Sequence, residues 1–251
     1  MSVLVLAGHD PSGRAGLTRD LWTLARCALP ALSLPTCSTI QTKGLQVAQA
    51  SDARWLERAL EALRDEHAIR VIKTGLILSG ETWSAILPML RALASEGAGV
   101  VVDPCRGPSR GGFGADDGVR RALLGEVAAT RAAVLTPNVP ELAWLHGAPL
   151  ADEAAEDDAC RALLARGYRA VVLKGGHARG APESLRDRYF AQDDERSFVR
   201  ERHAGERRGT GCCFASFLAA GLWQDLDVPT AARIAGHQLG QVWHELAAPE
   251  D

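Results

Sequence analysis

Short apolar runs alternate with amphipathic helical stretches along most of the chain. The first run, residues 3–7, is continuous in the way typical of a strand buried on both faces, and a helical stretch from Leu17 to about Cys27 follows it. Further strands are predicted over residues 34–40, 69–74, 100–104, 132–135 and 170–174. Strands that alternate with helices predict a mainly parallel sheet covered by helices on both faces, which is a three-layer α/β fold.

The remaining predicted elements complete this pattern. Helical spacing is found over residues 52–67, 82–93, 119–127, 152–166, 214–222 and 229–246. Residues 188–191 and 197–201 are typical of a β-hairpin. No Pro/Ser-rich linker or block of charge divides the 251 residues, so we expect residues 1–251 to form a single domain.

Charge and cysteine content exclude several classes of protein. The net charge is −3 and basic residues are interspersed with acidic ones, which argues against a nucleic-acid or membrane-surface role. No apolar run is long enough to cross a bilayer, and we expect no signal peptide because the first residues lack a basic start. The six cysteines show neither a C-x-x-C pair nor a zinc pattern, which indicates reduced thiols in a cytoplasmic protein.

Polar residues and glycines stand at or just past the predicted strand ends and helix starts. Ligands of open α/β sheets bind beyond the carboxyl ends of the strands, so we expect these residues to share one edge of the sheet. They are Asp10, Gln41, Gly75, Asp103, Asn138, Glu141, Lys174 and Cys212. Their convergence predicts a ligand site at that edge.

A glycine-rich loop that tightens into a helix lies at residues 207–217. Gly209 and Gly211 allow a close approach of backbone to ligand, and the unpaired N–H groups of the following helical turn favour an anion such as phosphate. A helix N-terminus lowers the pKa of a cysteine, so we expect the Cys212 thiolate to be favoured. The alternative is a structural glycine loop followed by two buried cysteines.

The glycine loop after the first strand, residues 8–16, does not fit two familiar phosphate-binding motifs. Gly8 and Gly13 have the spacing of a Walker A loop, but Arg14 and Ala15 stand where Lys and Ser/Thr are needed. The dinucleotide pattern G-x-G-x-x-G is also absent. A tight loop carrying Asp10 remains, for which a plain turn is the simpler explanation.

The residues of the predicted edge suit phosphoryl transfer. Asp103 and Glu141 would hold Mg²⁺, partly through water, and Lys174 would neutralise a transferring phosphate. Loop amides at residues 209–212 would stabilise charge that develops on the phosphoryl group, and Cys212 is the candidate base. Taken singly, each of these residues is better explained as one that ends a strand or caps a helix, as Asp103 and Asn138 could. Taken together, they favour the functional interpretation.

Six segments, in order along nearly the whole chain, together resemble one known family. The segments are Asp10-Pro11-Ser12-Gly13-x-Ala15-Gly16 with Asp20 following, Ile72-Lys73-x-Gly75-Leu76, Val102-Asp103-Pro104, Thr136-Pro137-Asn138-x-Pro140-Glu141, Leu173-Lys174-Gly175-Gly176-His177 and Gly209-Thr210-Gly211-Cys212. They resemble the hydroxymethylpyrimidine/phosphomethylpyrimidine kinases of thiamine biosynthesis, which have the ribokinase-like α/β/α fold. In that resemblance, a cysteine after Gly-Thr-Gly, here Cys212, marks this branch of the superfamily.

The resemblance implies ATP- and Mg²⁺-dependent phosphorylation of 4-amino-5-hydroxymethyl-2-methylpyrimidine and then of its monophosphate, by a homodimer. It also implies a role for each matching residue. The substrate would contact Gly8, Ala15, Asp20, Gln41 and Leu76. The nucleotide would contact Asn138, Lys174, Gly176, His177 and Thr210. The metal would be held by Asp103 and Glu141, and catalysis would involve Lys174, Gly209, Thr210, Gly211 and Cys212.

The chain departs from the family pattern near the substrate. Arg14 replaces a usual glycine, Arg208 replaces a usual histidine, and the loop 41–44 lacks one residue of the Gln-Asn-Thr-x-Gly pattern. One hypothesis is that the additional arginines, including Arg106 and Arg110, favour a phosphorylated substrate. Surface charge is the alternative.

Two other functions remain open from the sequence. The shortened loop after Gln41 keeps a pyridoxal kinase-like enzyme in consideration. A non-catalytic pyrimidine- or nucleotide-binding sensor is the third possibility. It is the weakest of the three, because a sensor has no need of a candidate base together with metal-binding carboxylates.

Overall fold

A computed structural model describes residues 1–42, 44–107, 112–177 and 183–246. Within these ranges nine strands form one sheet in the order β3-β2-β1-β4-β5-β6-β7-β8-β9. The strands are β1 Ser2–His9, β2 Ala31–Gln41, β3 Gln46–Ala50, β4 Ile69–Thr74, β5 Gly99–Val102, β6 Ala133–Leu135, β7 Ala170–Leu173, β8 Ser184–Ala191 and β9 Asp194–Glu201. The six strands from β2 to β7 in this order run parallel, while β3 at one edge and β8 and β9 at the other pair antiparallel. The predicted α/β fold with a mainly parallel sheet is therefore confirmed.

Eight α-helices of the described chain cover the two faces of the sheet. They are α1 Gly16–Arg26, α2 Ala53–Glu66, α3 Gly80–Ser95, α4 Asp117–Ala122, α5 Val139–His146, α6 Glu153–Ala165, α7 Thr210–Trp223 and α8 Val228–Gln241. Helices α2 to α6 pack on one face and α1, α7 and α8 on the other. Among the described residues, no helix combines the length and the apolar character needed to cross a membrane.

Alternate residues of the central strands supply the two cores. Leu4, Leu6 and Ile72 point to the face covered by α2 to α6, while Val3 and Val5 point to the face covered by α1, α7 and α8. All five side chains are fully buried. This two-sided burial explains why the parallel strands have continuous apolar sequences.

Two helices differ from the other six at their N-termini. Six helices begin with a side-chain cap, in which an Asp, Ser or Asn oxygen accepts a first-turn N–H. Helix α1 begins after Ala15 and α7 after Gly209, and neither has a side-chain cap. The first turn of α7 therefore has N–H groups that no side chain caps, whereas Gly16 at the start of α1 forms a backbone β-bridge with His9.

The structure differs from the predicted elements mainly at the edges of the sheet. Strand β3 was not predicted, because Gln46–Ala50 is a mostly exposed edge strand without an apolar run. The hairpin of β8 and β9 is longer than predicted, with Ala191 pairing directly with Asp194. The last predicted helix ends at Gln241 and a separate short 3₁₀ turn follows at Trp243–Glu245.

Candidate active site

Lys174 and Asp103 meet at the carboxyl edge of the sheet. Asp103 follows β5 and Lys174 follows β7, and the Lys174 Nζ donates to Asp103 Oδ1 at 2.8 Å. Both side chains are buried, with 9% of Lys174 and 4% of Asp103 exposed. Burial alone lowers the pKa of Lys174, but the nearby carboxylates of Asp103 and Glu141 more than reverse this, so its pKa lies above the ordinary value. Lys174 therefore carries a positive charge at neutral pH.

Glu141 and Asn138 join this pair through the start of α5. The Asn138 side chain accepts from the Glu141 N–H at 2.8 Å, and Glu141 Oε2 accepts from the Asn138 N–H at 2.8 Å, which is a reciprocal capping box. Glu141 Oε2 also lies 3.6 Å from Lys174 Nζ. Burial raises the pKa of Glu141 to about 7, although Lys174 opposes the shift. The cap thus fixes a carboxylate that changes charge near neutral pH.

The uncapped N-terminus of α7 points at the same place. An ideal Cβ on Gly211 would lie 3.3 Å from Lys174 Nζ and 3.7 Å from Asp103 Oδ2. Gly209 has a left-handed φ of 76°, and a Cβ there would lie 2.5 Å from the carbonyl oxygen of Arg14. Glycine is needed at residue 209 for both reasons. The predicted anion site and the predicted Lys174–Asp103 cluster therefore lie side by side, with Thr210 as the first residue of α7.

Cys212, in the first turn of α7, has a thiol that resists ionisation. Burial raises its pKa to about 12, and the negative charges of Asp20 and Asp103 add to the shift. The prediction that the helix N-terminus favours the thiolate is therefore wrong, because desolvation outweighs the helix terminus and the charge of Lys73. Cys212 is a neutral thiol at neutral pH.

Asp20 and Lys73 form a fully buried ion pair close to Cys212. Lys73 Nζ donates to both carboxylate oxygens of Asp20 at 2.8 Å, and neither side chain is exposed. Ser216 on α7 donates to the same carboxylate at 2.8 Å. Sequence reasoning missed the roles of Lys73 and Ser216. The signal that could have revealed Lys73 is its charge, because lysine is rarely buried in an apolar strand unless it has a partner.

The first glycine loop packs tightly against the residues that follow β4. An ideal Cβ on Gly8 would lie 3.1 Å from Cδ2 of Leu76, and one on Gly16 would lie 2.1 Å from the carbonyl oxygen of Gly8. Leu76 is 9% exposed, and Ala15 precedes the uncapped first turn of α1. The structure thus groups Gly8, Ala15 and Leu76 around one small region beside the site.

Arg208 connects the first loop to the end of β2. Its Nη2 donates to Gln41 Oε1 at 2.7 Å and to Asp10 Oδ2 at 3.3 Å. Gln41 Nε2 donates to Thr39 Oγ1 at 3.0 Å, so both ends of the Gln41 amide are engaged. Lys43, in the shortened loop after Gln41, lies outside the described residues, as does Arg110, while Arg106 is exposed.

Asp187 holds the chain that follows Lys174, a role the sequence did not reveal. This carboxylate is 1% exposed, accepts from the Gly175 N–H at 2.7 Å and pairs with Arg200 Nε at 2.7 Å. Gly176, which follows Gly175, is exposed, and a Cβ added to it would meet no atom within 4 Å. The His177 side chain lies outside the described residues. Asp187 therefore fixes the backbone at Gly175, while the neighbouring Gly176 stays accessible to a ligand.

The donor set of the site suits a metal ion that is shared with a phosphate ligand. Within the described ranges, no three His, Cys, Asp or Glu side chains are grouped as a self-contained metal site. Asp103 Oδ2 and Glu141 Oε1 accept no hydrogen bond from the described residues, whereas the other oxygen of each carboxylate does. Mg²⁺ is commonly held by one or two carboxylates together with substrate phosphates and water. Two carboxylates with one open oxygen each fit that arrangement.

A mostly parallel sheet covered by helices on both faces, with a glycine-initiated helix beside a Lys–Asp pair, defines the ribokinase-like α/β fold class. Solved structures support this class. The phosphomethylpyrimidine kinase from Clostridium difficile 630 superposes with a TM-score of 0.81 at 21% identity, covering 97% of this chain and 99% of that one. The pyridoxal kinase from Staphylococcus aureus gives 0.83 at 22% identity, covering 100% and 90%. At such identities these likenesses establish the fold alone.

The sequence comparisons identify the family. The profile described as phosphomethylpyrimidine kinase matches residues 10–244. A hydroxymethylpyrimidine/phosphomethylpyrimidine kinase from Streptomyces coelicolor is 33% identical over 241 residues, which is 93% of this chain and 85% of that protein. The chain belongs to the phosphomethylpyrimidine kinase family, and the resemblance inferred from its motifs is confirmed.

Proposed function

We propose that this protein transfers the γ-phosphoryl group of ATP to the hydroxymethyl oxygen of 4-amino-5-hydroxymethyl-2-methylpyrimidine, and then a second one to the resulting monophosphate. The family supports the substrate, since the Streptomyces coelicolor relative is named for both steps. The observation that carries the proposal is the meeting of Lys174, Asp103 and the uncapped start of α7, where a Cβ on Gly211 would be 3.3 Å from Lys174 Nζ. A fixed cation beside free helix amides is what a transferring phosphoryl group requires.

Each catalytic group has a distinct proposed role. Lys174 neutralises charge on the phosphates as a fixed cation, while the amides of Gly209, Thr210 and Gly211 bind the transferring group. Cys212, whose burial raises its pKa to about 12, orients the acceptor hydroxyl as a thiol rather than removing its proton as a thiolate. A loose transition state leaves little need for a strong base, so positioning suffices.

Asp103 and Glu141 would hold Mg²⁺ together with the nucleotide phosphates, and the metal would supply further neutralisation of phosphate charge. The nucleotide would lie along Asn138, Lys174, Gly176, His177 and Thr210. Support comes from the backbone bridge between Asn138 and Lys174, and from the Lys174 N–H, which donates to the Pro137 carbonyl oxygen at 2.8 Å. These contacts keep the ends of two neighbouring strands in fixed register.

The pyrimidine would bind between the first loop and the end of β2. Gly8, Ala15 and Leu76 would contact the ring, and Gln41 and Asp20 would hydrogen-bond its amino group and nitrogens. Asp20 is fully buried and paired with Lys73, so a direct bond to substrate requires it to give up part of that pairing. Gln41 needs only to exchange Arg208 for substrate.

We also propose a single-domain, cytoplasmic homodimer. Free thiols at all six cysteines support the cytoplasmic location. Ile40, Leu45 and Val47 on the β2–β3 hairpin are 43%, 49% and 42% exposed, and this apolar edge supports self-association.

ADP formation from ATP and Mg²⁺ tests the function. The pyrimidine alcohol, its monophosphate, pyridoxal and a no-substrate control are run side by side. We expect turnover of the two pyrimidines, with a large loss in Cys212→Ala and Lys174→Gln. Cys27→Ala is the matched control, because Cys27 is the C-cap residue of α1, at the opposite end of that helix from Ala15. Turnover of pyridoxal alone would establish the pyridoxal kinase alternative, and binding of the pyrimidine without turnover would establish a sensor.

A further inference from the structure

Arg208 stands at the junction of three segments that form the proposed pyrimidine pocket. It directly precedes Gly209, and its guanidinium reaches Gln41 at the end of β2 and Asp10 in the first loop. The Arg208 side chain is 24% exposed, so it is within reach of a ligand. Any substrate that takes Gln41 as a partner must displace or contact this guanidinium.

The contacts of Arg208 leave its charge only partly neutralised. Asp10 already accepts from the Ser12 N–H at 3.0 Å and from the Ser12 hydroxyl at 2.9 Å. Its bond to Arg208 is the longest of the three, at 3.3 Å, and the closer partner Gln41 is neutral. Nε and Nη1 of Arg208 have no hydrogen-bond partner among the described residues. The guanidinium therefore keeps donors for an anion, in the fork geometry that suits phosphate.

A second arginine adds positive charge to the same loops. Arg19 is 7% exposed, and a Cβ on Gly209 would lie 3.0 Å from its Cγ. Its Nη2 donates to the neutral carbonyl oxygen of Gly13 at 3.2 Å, and its buried Nε has no partner in the described part of the chain. Arg19 and Arg208 both lie beside Gly209, and Asp10 is the only carboxylate of the described residues to which either arginine donates a hydrogen bond. This excess of positive charge favours a negatively charged ligand.

We propose that Arg208 binds the phosphate of a substrate that is already phosphorylated, and so determines a preference for the pyrimidine monophosphate over the free alcohol. The inference rests on the proposed function and deepens it. On binding, phosphate oxygens replace Gln41 Oε1 and Asp10 Oδ2 as acceptors of the Arg208 donors. The same exchange releases the Gln41 carbonyl oxygen to accept from the amino group of the ring.

The test is the ratio of kcat/KM for the monophosphate to kcat/KM for the alcohol. We expect Arg208→Gln to lower this ratio by roughly ten- to a hundredfold, as expected for the loss of charge-assisted hydrogen bonds. Arg208→Lys keeps the positive charge but loses the paired donors of the planar guanidinium, so it should lower the ratio by a smaller factor. Arg207→Gln is the matched control, because the neighbouring guanidinium lies over the Trp243 ring at 5.8 Å and should leave the ratio unchanged.

An equal loss on both substrates in Arg208→Gln would overturn the inference, because it would show that Arg208 only holds Gln41. An unchanged ratio would overturn it as well. If Arg208→Gln does not fold, the ratio in Arg208→Lys decides, and a wild-type value there rejects the role. Wild-type protein that phosphorylates neither pyrimidine would reject the proposed function instead. Calorimetric binding of the monophosphate to wild type and Arg208→Gln without ATP would then still test Arg208.

Discussion

Lys73 donates to both carboxylate oxygens of Asp20 at 2.8 Å, and neither side chain is exposed to solvent. The pair joins β4 to α1, and Ser216 ties it to α7. Burial lowers the pKa of Lys73, but Asp20 more than offsets this and holds that pKa above the ordinary value. Burial also raises the pKa of Asp20, while Lys73 and Ser216 oppose that shift. The ion pair is therefore part of the framework under the site.

Removing one partner of this pair should be costly. We expect Lys73→Met to lower the free energy of unfolding by about 3–5 kcal/mol, because an unpaired buried carboxylate remains. The double variant Asp20→Leu/Lys73→Met should lose much less than the sum of the single variants. Urea denaturation measures all three, with Arg161→Gln as a control at an exposed ion pair. Additive losses would contradict a coupled pair.

Gly209 should not tolerate a side chain. Its φ of 76° and the 2.5 Å approach of a Cβ to the Arg14 carbonyl oxygen predict that Gly209→Ala lowers the free energy of unfolding. The left-handed backbone alone accounts for about 1–2 kcal/mol of this. Because the first turn of α7 must shift, KM for ATP should rise as well. Gly125→Ala, where a Cβ meets no atom within 4 Å, is the control. Equal stability of the two variants would contradict the strain at residue 209.

The raised pKa of Glu141 has a consequence for stability in protein without metal or nucleotide. Burial raises this pKa from 4.5 to about 7, so between these values the folded chain binds the proton more tightly than the unfolded chain. The contribution of Glu141 to stability is full at low pH and is lost as pH rises toward 7. Glu141→Gln cannot titrate, so its stability relative to wild type should improve by about 1–3 kcal/mol between pH 4.5 and 8.

Thermal or urea unfolding across this pH range measures the effect of Glu141. Glu57→Gln, at an exposed position on α2, is the control. A Glu141→Gln difference that stays constant from pH 4.5 to 8 would show that Glu141 titrates at an ordinary value.

The Cys212 thiol should behave as a hydrogen-bonding group and not as a thiolate. With a pKa raised by burial to about 12, its alkylation by iodoacetamide should keep accelerating up to pH 10 without a plateau. Fragment-ion mass spectrometry, which distinguishes Cys212 from the adjacent buried Cys213, follows the reaction beside that of the partly buried Cys27 in the same sample. A plateau with a midpoint below pH 8 would restore the thiolate as the base.

Substitutions at Cys212 give an independent measure of the same role. Cys212→Ser keeps a donor and acceptor at this position, so we expect its kcat to exceed that of Cys212→Ala by roughly tenfold or more. Equal kcat values for the two variants would mean that residue 212 does not position the acceptor hydroxyl.

Sequence reasoning found the parts of the fold that carry a strong apolar signal. Strands buried on both faces, such as β1 and β5, have continuous apolar runs and were predicted close to their observed bounds. Strand β3 has no such run, because it is an edge strand with exposed polar residues. Its pairing with β2 depends on tertiary context that single residues do not reveal.

In the candidate site, too, some features were predictable from the sequence and others were not. The strand-end rule brought Asp103 and Lys174 together because it follows from parallel topology alone. The Asp20–Lys73 pair joins residues that are 53 positions apart and depends on how α1 packs on β4. The pKa of Cys212 depends on burial, which local sequence does not specify. Topology was therefore predictable, while the electrostatic environment required the structure.

Helix α7 covers the middle of one face of the sheet, packing on β1, β4 and β5, yet it comes after all nine strands in the described chain. During synthesis from the N-terminus, the alternate valines of these strands, such as Val3, Val71 and Val101, have no helix α7 to cover them until the chain passes residue 223. The same helix supplies the proposed phosphate-binding turn. A nascent or truncated chain that ends before α7 thus lacks the helix that covers the middle of one sheet face as well as the proposed catalytic turn, so we expect it to be prone to aggregation and inactive.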